Sequence, residues 1–248
     1  MNGSGAFQEV ERPTGHLKTP HTPPEFYSPL TPLNQAGDLI SPTAWAATVL
    51  RLAFDFDPME KCRGWFAGDW ESYARAADVW ANLAKFCGSL ATTVESGNRT
   101  AGRSWDGQAA DAADLYFTSL CGKLRDLQDS LVLLHKEYMT VTYAVLAAAE
   151  GAGQLLGLIG DQAATAALSW VAGAATAWSG WGAAAAMAMV AAEIVRMCEM
   201  WDKIMKRVNA LQLAINVVGG NLVGLGAEVA ASLTSFTLPR AAYAHPAV

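Results

Sequence analysis

Apolar residues through the middle of the chain recur in steps of three and four: Ala110, Ala113, Phe117, Leu120, Leu124, Leu127, Leu131, Leu134, Tyr138, Val141, Val145 and Ala148. A repeat averaging about 3.5 residues gathers these side chains on one narrow stripe of an α-helix. Upstream, Tyr73, Ala76, Trp80, Leu83, Cys87, Leu90 and Val94 keep the same steps. Two striped helices joined by the short polar break Ser104-Trp105-Asp106-Gly107 predict an antiparallel pair, the first helix from about Asp69 to Arg103 and the second from about Gly107 to Glu150.

The break has its own local chemistry. Ser104 or Asp106 is suited to accept hydrogen bonds from the free N–H groups that open the second helix, and Gly107 lets the chain turn without a Cβ clash. Trp105 is expected to lie across both helices as a packing residue.

A third stripe steps through Met187, Val190, Ile194, Met197, Trp201, Ile204, Val208, Leu211, Ile215 and Val218, among charged Glu193, Arg196, Glu199, Asp202, Lys203, Lys206 and Arg207. That pattern predicts one amphipathic helix, stopped at Gly219-Gly220 and followed by a short helix carrying Leu222, Leu225 and Val229 to about Ser232. Before the hairpin, Pro13, Pro20, Pro23, Pro24, Pro29, Pro32 and Pro42 predict an extended arm over residues 1–42. A short helix is expected from Thr43 to Phe56, ended by Asp57-Pro58, with Asp69 capping the first long helix. Trp65, Phe66 and Trp70 are expected to close the base of the bundle.

The expected fold is therefore all-α: an elongated antiparallel helical hairpin or bundle, an added Ala/Gly-rich hydrophobic helical hairpin, and extended termini. The divisions fall at 1–42 for the arm, 43–150 for the hairpin with its leading helix, 151–236 for the Ala/Gly-rich hairpin and third long helix, and 237–248 for the tail.

After Glu150, where the second helix is expected to end, Gly151, Gly153, Gly157 and Gly160 interrupt an apolar segment, and from Gln162 to Ala192 there are 31 residues without a formal charge. That length is enough to span a bilayer. Ser179-Gly180-Trp181-Gly182 divides it into short arms, however, and alanine contributes little hydrophobicity. Two readings stay open: a closely packed soluble hairpin, and a membrane-active segment that inserts or forms a pore.

Composition narrows the function. Hydrophobic residues make up 52% of the chain and charged residues 16%, so much of it must be buried or meet a partner. The net charge is −6 and no Lys/Arg run interleaves with aromatics, which argues against nucleic acid. Residues 1–20 have no apolar core or basic start, so export is expected only by a signal-peptide-independent route, with a cytoplasmic location as the alternative.

Cys62, Cys87, Cys121 and Cys198 have no Cys-x-x-Cys spacing and do not cluster with His16, His21, His135 or His245, so neither a metal nor a redox cofactor is expected. Reflection of the hairpin about Ser104 places Cys87 and Cys121 opposite each other, seventeen residues on either side. They are expected as neighbouring buried thiols, with a disulfide as the second reading. No phosphate loop, Gly-x-Ser-x-Gly elbow, His-Glu-x-x-His or calcium loop occurs, and no catalytic residues are assigned; an enzyme is not expected.

Trp105-Asp106-Gly107, followed by Ala109-Ala110, Ala112-Ala113 and Phe117 between two long helices, resembles the Trp-x-Gly (WXG) superfamily of type VII (ESX) secretion substrates. Phe66-Ala67-Gly68-Asp69-Trp70 and the tail with Tyr243 and His245-Pro246 are similar to its longer actinobacterial members. The resemblance implies a non-enzymatic helical protein that leaves the cell folded, often as a homodimer or with a second protein of its kind. Trp105, Asp106 and Gly107 would then form part of what the export ATPase recognises. Family substrates usually carry Tyr-x-x-x-Asp/Glu after the second helix, but none of Tyr138, Tyr143 and Tyr243 has an acid four residues on. A partner is expected to supply that second signal, or the chain serves as a carrier.

Overall fold

The computed structural model describes residues 10–39, 44–176 and 181–234. All regular structure among them is helical: a 3-10 turn at Pro13–His16, then α1 (Leu30–Leu39), α2 (Ala44–Phe54), α3 (Pro58–Phe66), α4 (Trp70–Ala101), α5 (Gln108–Ala175) and α6 (Trp181–Thr234). The chain divides into two compact units, each assembled from separated stretches. The first takes residues up to 23, 73–139 and from 218 onward; the second takes 24–72 and 140–217.

In the first unit, α4 and the opening half of α5 form the hairpin. Their core is built from Ala84, Cys87, Leu131 and Leu134, with Trp80, Leu83, Phe86, Leu127 and Val132 packed around it. The end of α6 adds Leu222, Leu225 and Val229 to the same cluster. That burial explains why Gly219-Gly220 does not stop α6. Each helical glycine costs about 1 kcal/mol relative to alanine, whereas full burial of a Leu or Val side chain contributes about 1.5–3 kcal/mol, and three such side chains, each partly buried, act together here.

The second unit contains most departures from the sequence pattern. Residues 30–39 are helical rather than extended: Pro32 lies in the first turn of α1, where its missing N–H is no loss, and Leu33 and Ala36 are buried. α2 stops at Phe54, before the expected Asp57-Pro58: Asp55 takes a left-handed φ of +53° with its N–H donating to Arg51 O at 3.1 Å. Asp57-Pro58 instead starts α3, since Asp57 accepts hydrogen bonds from Met59 N (2.8 Å) and Glu60 N (3.2 Å) while Pro58 occupies the first helical position. Asp69 caps α4 by accepting from Ser72 N at 3.0 Å.

Gly151, Gly153, Gly157 and Gly160 do not interrupt α5. At two of them the missing side chain permits a close approach: a Cβ on Gly151 would collide with the Arg207 guanidinium, and one on Gly153 would meet the Pro32 carbonyl oxygen at 2.8 Å. The periodicity of 3.6 residues therefore overrides the breaking tendency of these glycines.

Around Trp201 of α6, Phe54, Phe56 and Trp65 have ring centroids at 5.8, 5.1 and 5.6 Å, with Trp65 stacked on it. Trp65 thus stacks on Trp201 rather than grouping with Phe66 and Trp70 as expected; Phe66 is buried, and Trp70 Nε1 donates to the Phe66 carbonyl at 3.1 Å. Met197 and Ile204 are fully buried and Val190 nearly so, but Met187, at the start of the same stripe, is 66% exposed. The Ser179-Gly180 part of the expected break, and the tail from residue 235, lie outside the described residues.

Candidate functional site

The turn between α4 and α5 is assembled from backbone bonds. Gly102 N donates to Asn98 O at 3.0 Å, and the N–H groups of Ser104 and Trp105 both reach Ala101 O at 3.1 Å, which closes the end of α4. Gly107 has φ +98°, a left-handed conformation strained for any residue with a Cβ. Its carbonyl accepts from Ala110 N (2.9 Å) and Asp111 N (3.1 Å) and so starts α5.

The caps expected of Ser104 and Asp106 are not formed among the described hydrogen bonds; both side chains are exposed. The positive φ of Gly107 turns the chain directly into α5, and the acidic Asp111 in the first turn complements its positive end.

Two side-chain links secure the turn. Asn98 Nδ2 donates to Asp114 Oδ1 at 2.7 Å, and Glu95 accepts from both Arg99 (3.1 Å) and Arg125. Gly97-Asn98, which looks in sequence like a weak point, is helical and contributes one of these links. Residues 101–108 are exposed throughout. Trp105 is 47% exposed rather than lying across the helices, which leaves one indole at the end of the hairpin.

The packing stripe is partly assembled as spaced. Tyr73 stacks on Tyr138 (4.9 Å), and Trp80 tilts against the same ring (6.2 Å). Leu124, Leu131 and Leu134 are buried, Leu90 and Leu120 half-buried, and Phe117 is exposed. Cross-helix contacts fix a register different from reflection about Ser104. Cys121 Sγ donates to Ala91 O at 3.4 Å, and the ring N–H of His135 Nδ1 donates to Ala77 O at 2.8 Å. Since 91 + 121 and 77 + 135 both equal 212, the hairpin is centred near residue 106.

Cys121 therefore faces a position one helical turn beyond Cys87, which instead packs with Leu131 and Leu134. Both are buried free thiols, as is Cys62, whereas Cys198 is free and exposed. Burial raises all three buried thiols, Cys62 to about 12. No three His, Cys, Asp or Glu side chains converge on a metal-sized site among the described residues.

Tyr138 is in the ring stack, and Tyr143 donates to Glu25 at 3.4 Å. Comparison with protein-family models, curated proteins and solved structures gives no match.

Proposed function

We propose that this chain is a non-enzymatic helical protein exported by, or serving as carrier or accessory for, a type VII secretion system, working through helix-to-helix contacts. The observation that carries this reading is the presentation of Trp105. A half-exposed indole, 47% accessible, stands on a turn shaped by Gly107 and secured by Asn98–Asp114. An exposed aromatic on a preorganised turn suits recognition by a partner, because the backbone that carries it is already ordered and need not be fixed on binding.

The export ATPase is the proposed reader of Trp105, Asp106 and Gly107. Tyr138 and Tyr143 are engaged in contacts of their own and have no acid four residues on, so a second Trp-x-Gly-type chain is proposed to supply the remaining signal. The test is to follow the protein in the culture medium with and without the secretion ATPase, and with Trp105→Ala. Export that depends on both supports the reading. Undiminished protein in the medium without the ATPase overturns it.

A further inference from the structure

In the second unit, the end of α5 and the start of α6 pair antiparallel through small residues. A Cβ on Gly173 would collide with Ala186, and one on Gly182 would come within 2.6 Å of Thr176 Oγ1. The outer surface of this hairpin is apolar on both arms. Leu168 is 72% exposed, Trp170 43%, Val171 47%, Trp181 91%, Met187 66% and Met189 55%. Residues 181–192 include no polar side chain, so this part of α6 has no solvent-adapted face. On α5, the Thr165 hydroxyl donates to Asp161 O (2.9 Å) and Gln162 and Ser169 are half-buried, while just past its end the Thr176 hydroxyl donates to Ala172 O (3.0 Å), so both threonine hydroxyls are satisfied without water.

The charges nearest this apolar end are Asp161 on α5 and Glu193 on α6. Glu193 is 8% exposed and its Oε1 accepts from Arg196 Nη1 at 2.8 Å. The Gly173–Ala186 pairing brings Asp161 and the exposed Arg196 to almost the same level, since 173 + 186 is 359 and 161 + 196 is 357. Above that level α6 offers Trp181–Ala192, 12 residues, or about 18 Å of helix. A hydrocarbon core of about 30 Å needs about 20 residues to cross, so this length matches one leaflet and not two.

We infer that the α5–α6 hairpin is a wedge that inserts into a single leaflet of a lipid bilayer, with Asp161 and Arg196 at the water boundary. This goes beyond the secretion reading and does not depend on it. Charges around the base are mixed: Asp161, Glu193, Glu199 and Asp202 against Arg196, Lys203, Lys206 and Arg207. The wedge therefore engages zwitterionic lipid without requiring an anionic surface.

The test is flotation of the full chain with phosphatidylcholine vesicles at low and high salt. Wild type floats at both, releases no trapped dye, and shows Trp181 fluorescence quenched by brominated lipid; subtracting the Trp181→Phe spectrum isolates that residue. Trp181→Asp and Met187→Lys, both at well-exposed positions, weaken binding by about tenfold or more with an unchanged circular dichroism spectrum. Failure of wild type to float, or flotation of both variants like wild type, overturns the inference. Release of dye overturns the single-leaflet claim in favour of a pore. A wild-type dimer that the two variants dissociate, without flotation, assigns the surface to a second copy instead.

Discussion

The backbone of Gly153 in α5 lies directly against Pro32 in α1: a Cβ added to the glycine would stop 2.8 Å from the Pro32 carbonyl oxygen and 3.1 Å from its carbonyl carbon. The neighbour is backbone and has no rotamer with which to retreat. Gly153→Ala is therefore expected to destabilise by about 1–3 kcal/mol despite its higher helix propensity. Gly157→Ala, one turn along with nothing within 4 Å of the new methyl, is expected to stabilise by about 0.5–1 kcal/mol. Urea unfolding of the pair checks both signs, and equal effects would show that the Pro32 contact does not matter.

On the proposed reading, Trp105 serves recognition and Gly107 serves folding. Trp105→Ala removes an exposed ring and is expected to change stability by less than about 1 kcal/mol, while abolishing export on the proposed reading. Gly107→Ala forces a Cβ onto φ +98° and is expected to cost about 1–2 kcal/mol. Thermal melts beside secretion assays distinguish the two; a Trp105→Ala protein that is folded and still exported reduces Trp105 to a surface residue.

Trp201 holds Phe54, Phe56 and Trp65 by ring contact. Trp201→Ala is expected to cost about 2–4 kcal/mol, short of a full core truncation because the ring is only partly buried. Chemical denaturation followed by far-UV circular dichroism checks the loss.

The four thiols divide three to one. In native protein Cys198 is expected to react promptly with a thiol reagent while Cys62, Cys87 and Cys121 react only on unfolding. The pH dependence has a definite sign. Cys62 titrates near 9.0 when unfolded and about 12 when folded, so the native state holds the proton more tightly. Its contribution is fully present below pH 9 and is lost between about 9 and 12, with a slope approaching ~1.4 kcal/mol per pH unit. Unfolding curves of wild type and Cys62→Ala at alkaline pH should show the steeper decline in wild type.

The helical stripes were legible because a period of three and four identifies a buried face without any knowledge of the partner. The α4–α5 turn could be placed on the same ground. Its detailed geometry was less visible: Ser104 and Asp106 look like caps, yet Gly107 turns the chain into α5 at positive φ, and the cross-helix contacts centre the hairpin near residue 106. That shift of roughly half a turn per helix is what separates Cys87 from Cys121. Glycines and prolines misled most, since Gly151 and Gly153 mark close approaches to Arg207 and Pro32, which no local pattern announces. The exposed tip of α6 was hidden for the opposite reason: Met187 continues the stripe in register, and only the fold shows that nothing covers it.

Because each unit is made of separated stretches, synthesis delivers them out of order. The α4–α5 hairpin has emerged by residue 139, but Leu222, Leu225 and Val229, which complete its core, follow only after residues 140–217. At ordinary translation rates that gap lasts on the order of 4–16 s. During it an apolar seam containing Trp80, Leu83 and Leu127 waits without its last covering layer. A ribosome-bound chain stalled before residue 218 should therefore recruit holding chaperones far more strongly than one released at full length.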